Sequence, residues 1–427
     1  MVFTGQLGDA GLAKEVTRGT FVAPSRFVNF EPPFDFSYDI TLLESKGISG
    51  IPDDVTKTAQ GPAQLKGGKI KFEVEPENCG EHHMAAFGVD AVTEVASFIV
   101  STGVNDTIDW TTFTFSVAAG TYVAGQTQAD AGSLCALIYT GMHAADGTVT
   151  GVSFSRAVNE FTITFSGATT IKWHTGANTA KSIGPLIGFS TAADSTGAST
   201  YTGVAVIAAF SHAFSRLASA QLPSYSWWQK NGIDYPTFSG CQLSKLEIDI
   251  KAKEFVVASA DWVGLSYAAG VSETTTYSAH NAFKFDQAVI TVAGSPVVDY
   301  EEVKIVIDNA VENVHTVGNG INATKNYSKY FKVSLSMTLT VENTTEWAKF
   351  VAGTLSSVTI TINSTEKVKG AIPFSLTYTM TNIAYKSAPR PVAKDLIKMT
   401  LAAEATSSIN SSTTLTATLV NSIGSAY

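Results

Sequence analysis

The sequence predicts a mainly β protein: two tandem β-sandwich or barrel domains, each with one short α-helix, plus a small inserted β-rich (α+β) module. Three observations predict it. Charged residues fill only 15% of the 427 positions while Thr, Ser, Ala, Gly and Val abound, a mix that suits short strands and turns better than solvent-facing helices. Segment after segment alternates apolar and polar residues with a period of two, which gives a strand one buried face. One strand-helix unit also occurs twice at a fixed separation. The length independently favours two or three cores over one.

The elements follow in order. Phe34, Phe36 and Tyr38 alternate with Asp35, Ser37 and Asp39, a first strand. A long polar connection, 45–68, comes next. Ile70, Phe72 and Val74 then alternate with Lys71, Glu73 and Glu75. The run Glu77-Asn78-x-x-Glu81 follows, with Asn78 placed as a helix N-cap and Glu81 three residues on, a variant of the capping box. The helix, 82–87, stops at Gly88, suited to a left-handed cap.

A stretch without counterpart follows, 91–208, and reads as an inserted module. Strands are predicted at 113–117, 149–155, 160–166 and 169–174, and a helix at 126–143 with Leu134, Leu137, Ile138 and Met142 at helical spacing. Insertion between neighbouring surface points is a tolerated way to add a domain. Return strands at 225–228, 241–250 and 255–262 complete the first unit.

The second unit repeats the first. Val303, Ile305 and Ile307 lead to Asp308, and a polar connection spans 309–330. Val333, Leu335, Met337, Leu339 and Val341 alternate with Lys332, Ser334, Ser336, Thr338 and Thr340. Glu342-Asn343-x-x-Glu346 then opens a helix, 347–351, ending at Gly353. Strands near 358–362, 374–385 and 396–402 follow, the middle one alternating Leu376, Tyr378 and Met380 with Thr377, Thr379 and Thr381. Met337 follows Phe72, and Asn343 follows Asn78, by the same 265 residues. The expected division is 1–90 and 209–285 for the first domain, 91–208 for the module and 286–427 for the second domain.

Little in the chain points to chemistry. A net charge of −9 without clustered Lys or Arg argues against gripping nucleic acid through phosphates. No GxxxxGK[ST] loop, helix-opening GxGxxG or GxSxG elbow occurs. His82 and His83 are adjacent, so on a helix they point about 100° apart and cannot share an ion as an i, i+4 pair would. They read as a polar helix face. Asp109-Trp110 and Asp261-Trp262 could be imagined in a sugar cleft, but their strand-like context favours packing. No cofactor or metal is expected, and no enzymatic activity. In Trp227-Trp228 one of two strand neighbours must face away from the core, which places one indole at an interface, against the module, or at a partly exposed edge.

The opening residues carry no apolar run after a basic stretch, so no secretory signal is expected, and the longest apolar stretch, near 204–210, is far short of a membrane span. Cys79, Cys135 and Cys241 are odd in number and widely spaced, which speaks against a disulfide framework and for cytosolic synthesis. The Asn343 and Asn363 sequons then carry no sugar.

Four stretches resemble the tail tube proteins of long-tailed bacteriophages. They are Glu15-x-x-x-Gly19-Thr20-x-x-Ala23-Pro24; Phe238-Ser239-Gly240-Cys241-x-Leu243-x-x-Leu246-x-Ile248; Val303 to Asn309; and Thr414-Leu415-Thr416-x-Thr418-Leu419-Val420-Asn421. The resemblance covers about 300 residues, everything outside the module. It implies a virion protein, made in the host cytoplasm, whose copies form stacked rings around a lumen that conducts DNA during ejection. Tail tip, tape-measure and tail terminator proteins would be its partners, without membrane insertion. The usual subunit carries one domain and forms hexamers, so a duplicated chain implies a trimeric pseudo-hexamer with the module outside. Long loops at 45–68 and 309–330 would join the rings. The polar residues expected to face the lumen are Asp35, Ser37, Asp39, Lys71, Glu73, Glu75, Ser334, Ser336, Thr338, Thr377 and Thr379, as hydroxyls and carboxylates with few bases. Trp227 and Trp228 are the candidate interface aromatics. The rival reading is a β-sandwich carbohydrate- or cell-surface-binding protein, which would expect an export signal or an aromatic platform.

Overall fold

In a computed structural model the described residues are 8–34, 36–44, 58–217, 221–232, 234–318, 320–391, 396–407 and 414–427. They form a mainly β protein in which eighteen strands join one hydrogen-bonded network. Eight of these strands organise the rest. In chain order they are β1 (Phe30–Glu31), β2 (Lys69–Glu73), β3 (Pro236–Lys251), β4 (Val257–Val263), β5 (Tyr300–Asp308), β6 (Lys332–Thr340), β7 (Ile372–Ser387) and β8 (Lys398–Ala405). Their spatial order is β1-β2-β4-β3-β5-β6-β8-β7, every pair antiparallel.

The two halves of that order match in register. Phe72 lies opposite Ala258, and Met337 opposite Leu401. The offsets are 265 and 143 residues, and they recur for Ile70 with Ala260 against Leu335 with Ala403. On the outer side Phe30 pairs with Phe72 as Val303 pairs with Met337. On the inner side Lys245 pairs with Asp261 as Ala384 pairs with Glu404. β3 and β7 each run 16 residues and pass from this sheet into another. Their first halves pair with Tyr225–Lys230 and Ser266–Ala269, and with Ser356–Lys369 and Thr416–Asn421, respectively. Alternation drives this: Leu246, Ile248 and Ile250, like Ile305 and Ile307, turn into one core cluster while their neighbours face out. Each such side chain contributes about 1.5–3 kcal/mol by leaving water.

In the repeat 34–39 is expected to correspond to 303–308, but the register gives that place to Phe30–Glu31. The strand Phe36–Glu44 continues into a hairpin with Thr58–Gly67, so part of the expected polar connection is strand. Val311–Val314 and Lys325–Ser328 form the matching hairpin in the other half. The two arms touch: Ala63 N donates to the Ile321 carbonyl at 2.7 Å, and His315 Nε2 lies 3.0 Å from the Ala63 carbonyl.

Helices α1 (Cys79–Phe87) and α3 (Thr345–Ala352) follow β2 and β6 and end at left-handed Gly88 and Gly353. The expected capping boxes do not form. Asn78 holds the N-cap position of α1, but its backbone is helical and its Nδ2 donates to Glu75 at 2.7 Å, while Asn343, two residues before α3, accepts from Thr345 N in a local turn and leaves the N-cap position to Thr344. α1 is wholly buried, whereas on α3 only Glu346 is. A second hydrophobic cluster, Phe98 to Phe210, holds α2 (Leu134–Asp146) and its sheet. α2 starts at Leu134 rather than 126, because Gly132 is left-handed and the Ser133 hydroxyl accepts from Ala136 N at 3.2 Å. The two strands expected at 160–166 and 169–174 are one, Glu160–Ile171. The chain enters and leaves this region side by side, with Val95 paired to Ala209.

Candidate functional site

The eight-strand sheet has one face on the core and one polar face, and the polar face is the candidate site. One row of aligned residues crosses it as Lys71, Ser259, Glu247, Val306, Ser334 and Glu404. The next holds Glu73, Val257, Asp249, Lys304, Ser336 and Ala402. Opposite charges meet across the strands. Lys304 Nζ lies 2.8 Å from Glu247 and 3.8 Å from Asp249, Lys251 3.4 Å from Glu302, and Lys332 3.6 Å from Glu404. Lys71 pairs with Glu31, Lys245 with Glu247 and Lys386 with Glu404.

Burial opposes ionisation of Glu247, but hydrogen bonds from Lys245 and Lys304 outweigh it and hold the carboxyl down at about 2. The same bond to Glu247 raises Lys304. Burial pushes Asp261 up. The face is therefore a mesh of compensated charge, not the hydroxyl-and-carboxylate surface with few bases that the sequence suggested. Among the described residues it offers no uninterrupted cationic band to hold phosphates.

Of the predicted site residues, Lys71, Glu73, Ser334, Ser336 and Thr338 come together on this face. The others do not join them. Thr377 and Thr379 sit in the first half of β7, in rows with Thr361 and Thr418 and with Thr359 and Thr416. Ser37 and Asp39 lie on the Phe36–Glu44 hairpin strand. Glu75 is buried beyond the end of β2, accepting from Asn29 at 2.6 Å and Asn78 at 2.7 Å, and burial raises its pKa. Asp35 lies outside the described residues. The sequence reading missed Lys245, Glu247, Asp249 and Lys304, although their alternation with Leu246, Ile248 and Ile305 was the available signal.

Trp227 and Trp228 are both buried within the chain, which corrects their assignment as interface residues. Trp227 packs on Phe34, Phe36 and Trp262, while Phe27 and Tyr235 flank Trp228, whose Nε1 donates to the Val271 carbonyl at 2.9 Å. The chain thus covers both faces of that strand itself. His82 and His83 are likewise fully buried rather than a polar face. His83 bridges the Cys79 carbonyl and the Tyr378 hydroxyl, each at 2.7 Å, and His82 packs at a tilt against Phe72. Among the described residues no group of His, Cys, Asp and Glu is arranged to hold a metal ion, and no helix is long and apolar enough to cross a membrane. All three cysteines are buried and free.

The family model for phage tail tube protein matches residues 5–419. The chain belongs to the phage tail tube protein family. Members are structural components of the virion tail and self-assemble into the tube alongside other tail proteins. No curated protein matches the chain.

Proposed function

We propose that this tube protein is two tandem copies of one tube domain, and that three chains close a pseudo-hexameric ring. The carrying observation is the order β1-β2-β4-β3 repeated as β5-β6-β8-β7 with matching register. The first copy is 1–90 with 209–285, the second 286–427, and 91–208 is a module decorating the outside. That division is supported by the separate cluster and by the Val95–Ala209 pairing at its root.

In this reading the polar face of the sheet lines the lumen. Three chains of eight strands spaced about 4.8 Å and tilted about 40° give a backbone diameter of about 50 Å. With about 6 Å of side chain on each wall, about 35 Å stays clear, enough for a DNA duplex about 20 Å across. Compensated charge on that wall suits passage without binding. The hairpin arms, with Leu42, Leu43 and Val317 exposed, would seat on the next ring, where that apolar surface is covered. Ejection through the tube, initiation at a tail tip, length setting by a tape-measure protein, closure by a terminator and assembly in the host cytoplasm complete the proposal.

Native mass spectrometry of assembled protein tests the stoichiometry. Three 45.1-kDa chains give a ring of about 135 kDa. A ring of twice that mass would mean that each chain supplies one unit, and would end the duplication reading.

A further inference from the structure

The two halves of the chain already meet across one junction, and its geometry serves as a template. β3 pairs with β5 over seven residues, from Lys245 opposite Asp308 to Lys251 opposite Glu302. At the far ends of the same sheet the corresponding edges lie open. β1 pairs with β2 alone among the described residues, and residues 384–387 of β7 pair only with β8. β1 occupies the register position of β5, and the end of β7 that of the end of β3.

The charge is reversed at one of these positions, and an opposite charge stands beside the other. Within the chain a cation on β5, Lys304, meets an anion on β3, Glu247, at 2.8 Å. Register places Glu31 where Lys304 stands, since Glu31 pairs with Lys71 as Lys304 pairs with Ser336. It places Ser387, with Lys386 beside it at an irregularity, where Glu247 stands. Lys386 faces Glu404 on the same polar face, and both Glu31 and Lys386 are accessible to solvent.

We propose that one chain joins the next head to tail by laying the end of β7 against β1 of its neighbour, with Lys386 of one copy diagonally across from Glu31 of the other, as Glu247 is from Lys304. The partner is a second copy of this chain, and the proposal rests on the tube reading above. Pro32, Pro33, Pro389 and Pro391 remove backbone donors from both edges, so the ladder between chains is short and the side-chain charges weigh more in choosing the partner. The reversal also has a selective effect. An end of β7 that met β5 of another copy would set Lys386 against Lys304, so the chain-to-chain contact cannot replace the internal one without like-charge repulsion.

Two chains, one carrying Glu31→Cys and the other Lys386→Cys, are assembled together and oxidised. The native cysteines are buried, which keeps the background low. A covalent dimer from the mixture, and from neither variant alone, is the expected result. Charge reversal supplies the second measurement. Glu31→Lys or Lys386→Glu should each lower ring formation about threefold per junction, roughly 30-fold for a ring closed by three junctions, and the double variant should restore it. Intrachain damage at Lys71 or Glu404 would not be rescued by a change on the other edge. Hollow rings in micrographs without the cross-link and without rescue would overturn the junction and leave the tube standing. Absence of rings even with a tail-tip complex would overturn the tube reading and the junction with it.

Discussion

Acid should loosen this protein at one helix, and the size of the effect can be worked from its surroundings. His82 of α1 is enclosed by Phe72, Trp262 and Trp227, with ring centroids 4.2, 5.8 and 6.1 Å away. Burial, and secondarily the neighbouring His83, lowers its pKa from the ordinary 6.5 to about 3. A histidine depressed on folding takes up its proton only when unfolded, so its effect is to reduce stability as pH falls below about 6.5, continuing down to about 3. Between pH 7 and pH 5 the loss is about 2 kcal/mol for this residue alone. Buried Glu75 and Glu81, whose pKa values are raised by burial, act in the opposite direction, so the informative quantity is a difference between variants. His82→Phe keeps a flat ring against Phe72 and removes the titrating group. Urea unfolding followed by the fluorescence of the adjacent tryptophans should show the variant losing about 2 kcal/mol less than the parent from pH 7 to pH 5. Equal losses in the two proteins would refute the reasoning.

Three further outcomes follow from the packing. Tyr427 fills the space over Gly80, where an added Cβ would lie 2.2 Å from its ring, so Gly80→Ala should cost about 1–3 kcal/mol by overpacking, seen as a lower unfolding midpoint. Asn309 ties α1 to β3 through the Ala86 and Leu243 carbonyls, each at 3.2 Å, and Asn309→Ala should cost about 1–3 kcal/mol by leaving buried acceptors unpaired, read by the same unfolding. Replacing 96–208 with a two-residue turn between the paired Val95 and Ala209 should leave a folded protein that still forms rings, lacking outer knobs in micrographs.

Much of the fold was legible because alternation and repetition are local signals. The spacing from Phe72 to Met337 survives in the structure as matching ladder registers, and both helices stop at the glycines that mark them. Burial by distant chain was not legible. The second face of the Trp227–Trp228 strand is covered by Phe27 and residues near Val271, far away in sequence. The candidate face was half visible for a related reason. Serines and threonines on β6 announced a polar surface, but the pairing that neutralises Lys304 joins strands some 57 residues apart, and no period within either strand reveals it.

The most direct test of the central claim is electron microscopy of the assembled protein, with symmetry and bore measured in end-on views. The account predicts threefold rings with three outer knobs around a clear channel of about 35 Å. Sixfold rings with six knobs, or particles without a channel after addition of a tail-tip complex, would contradict it.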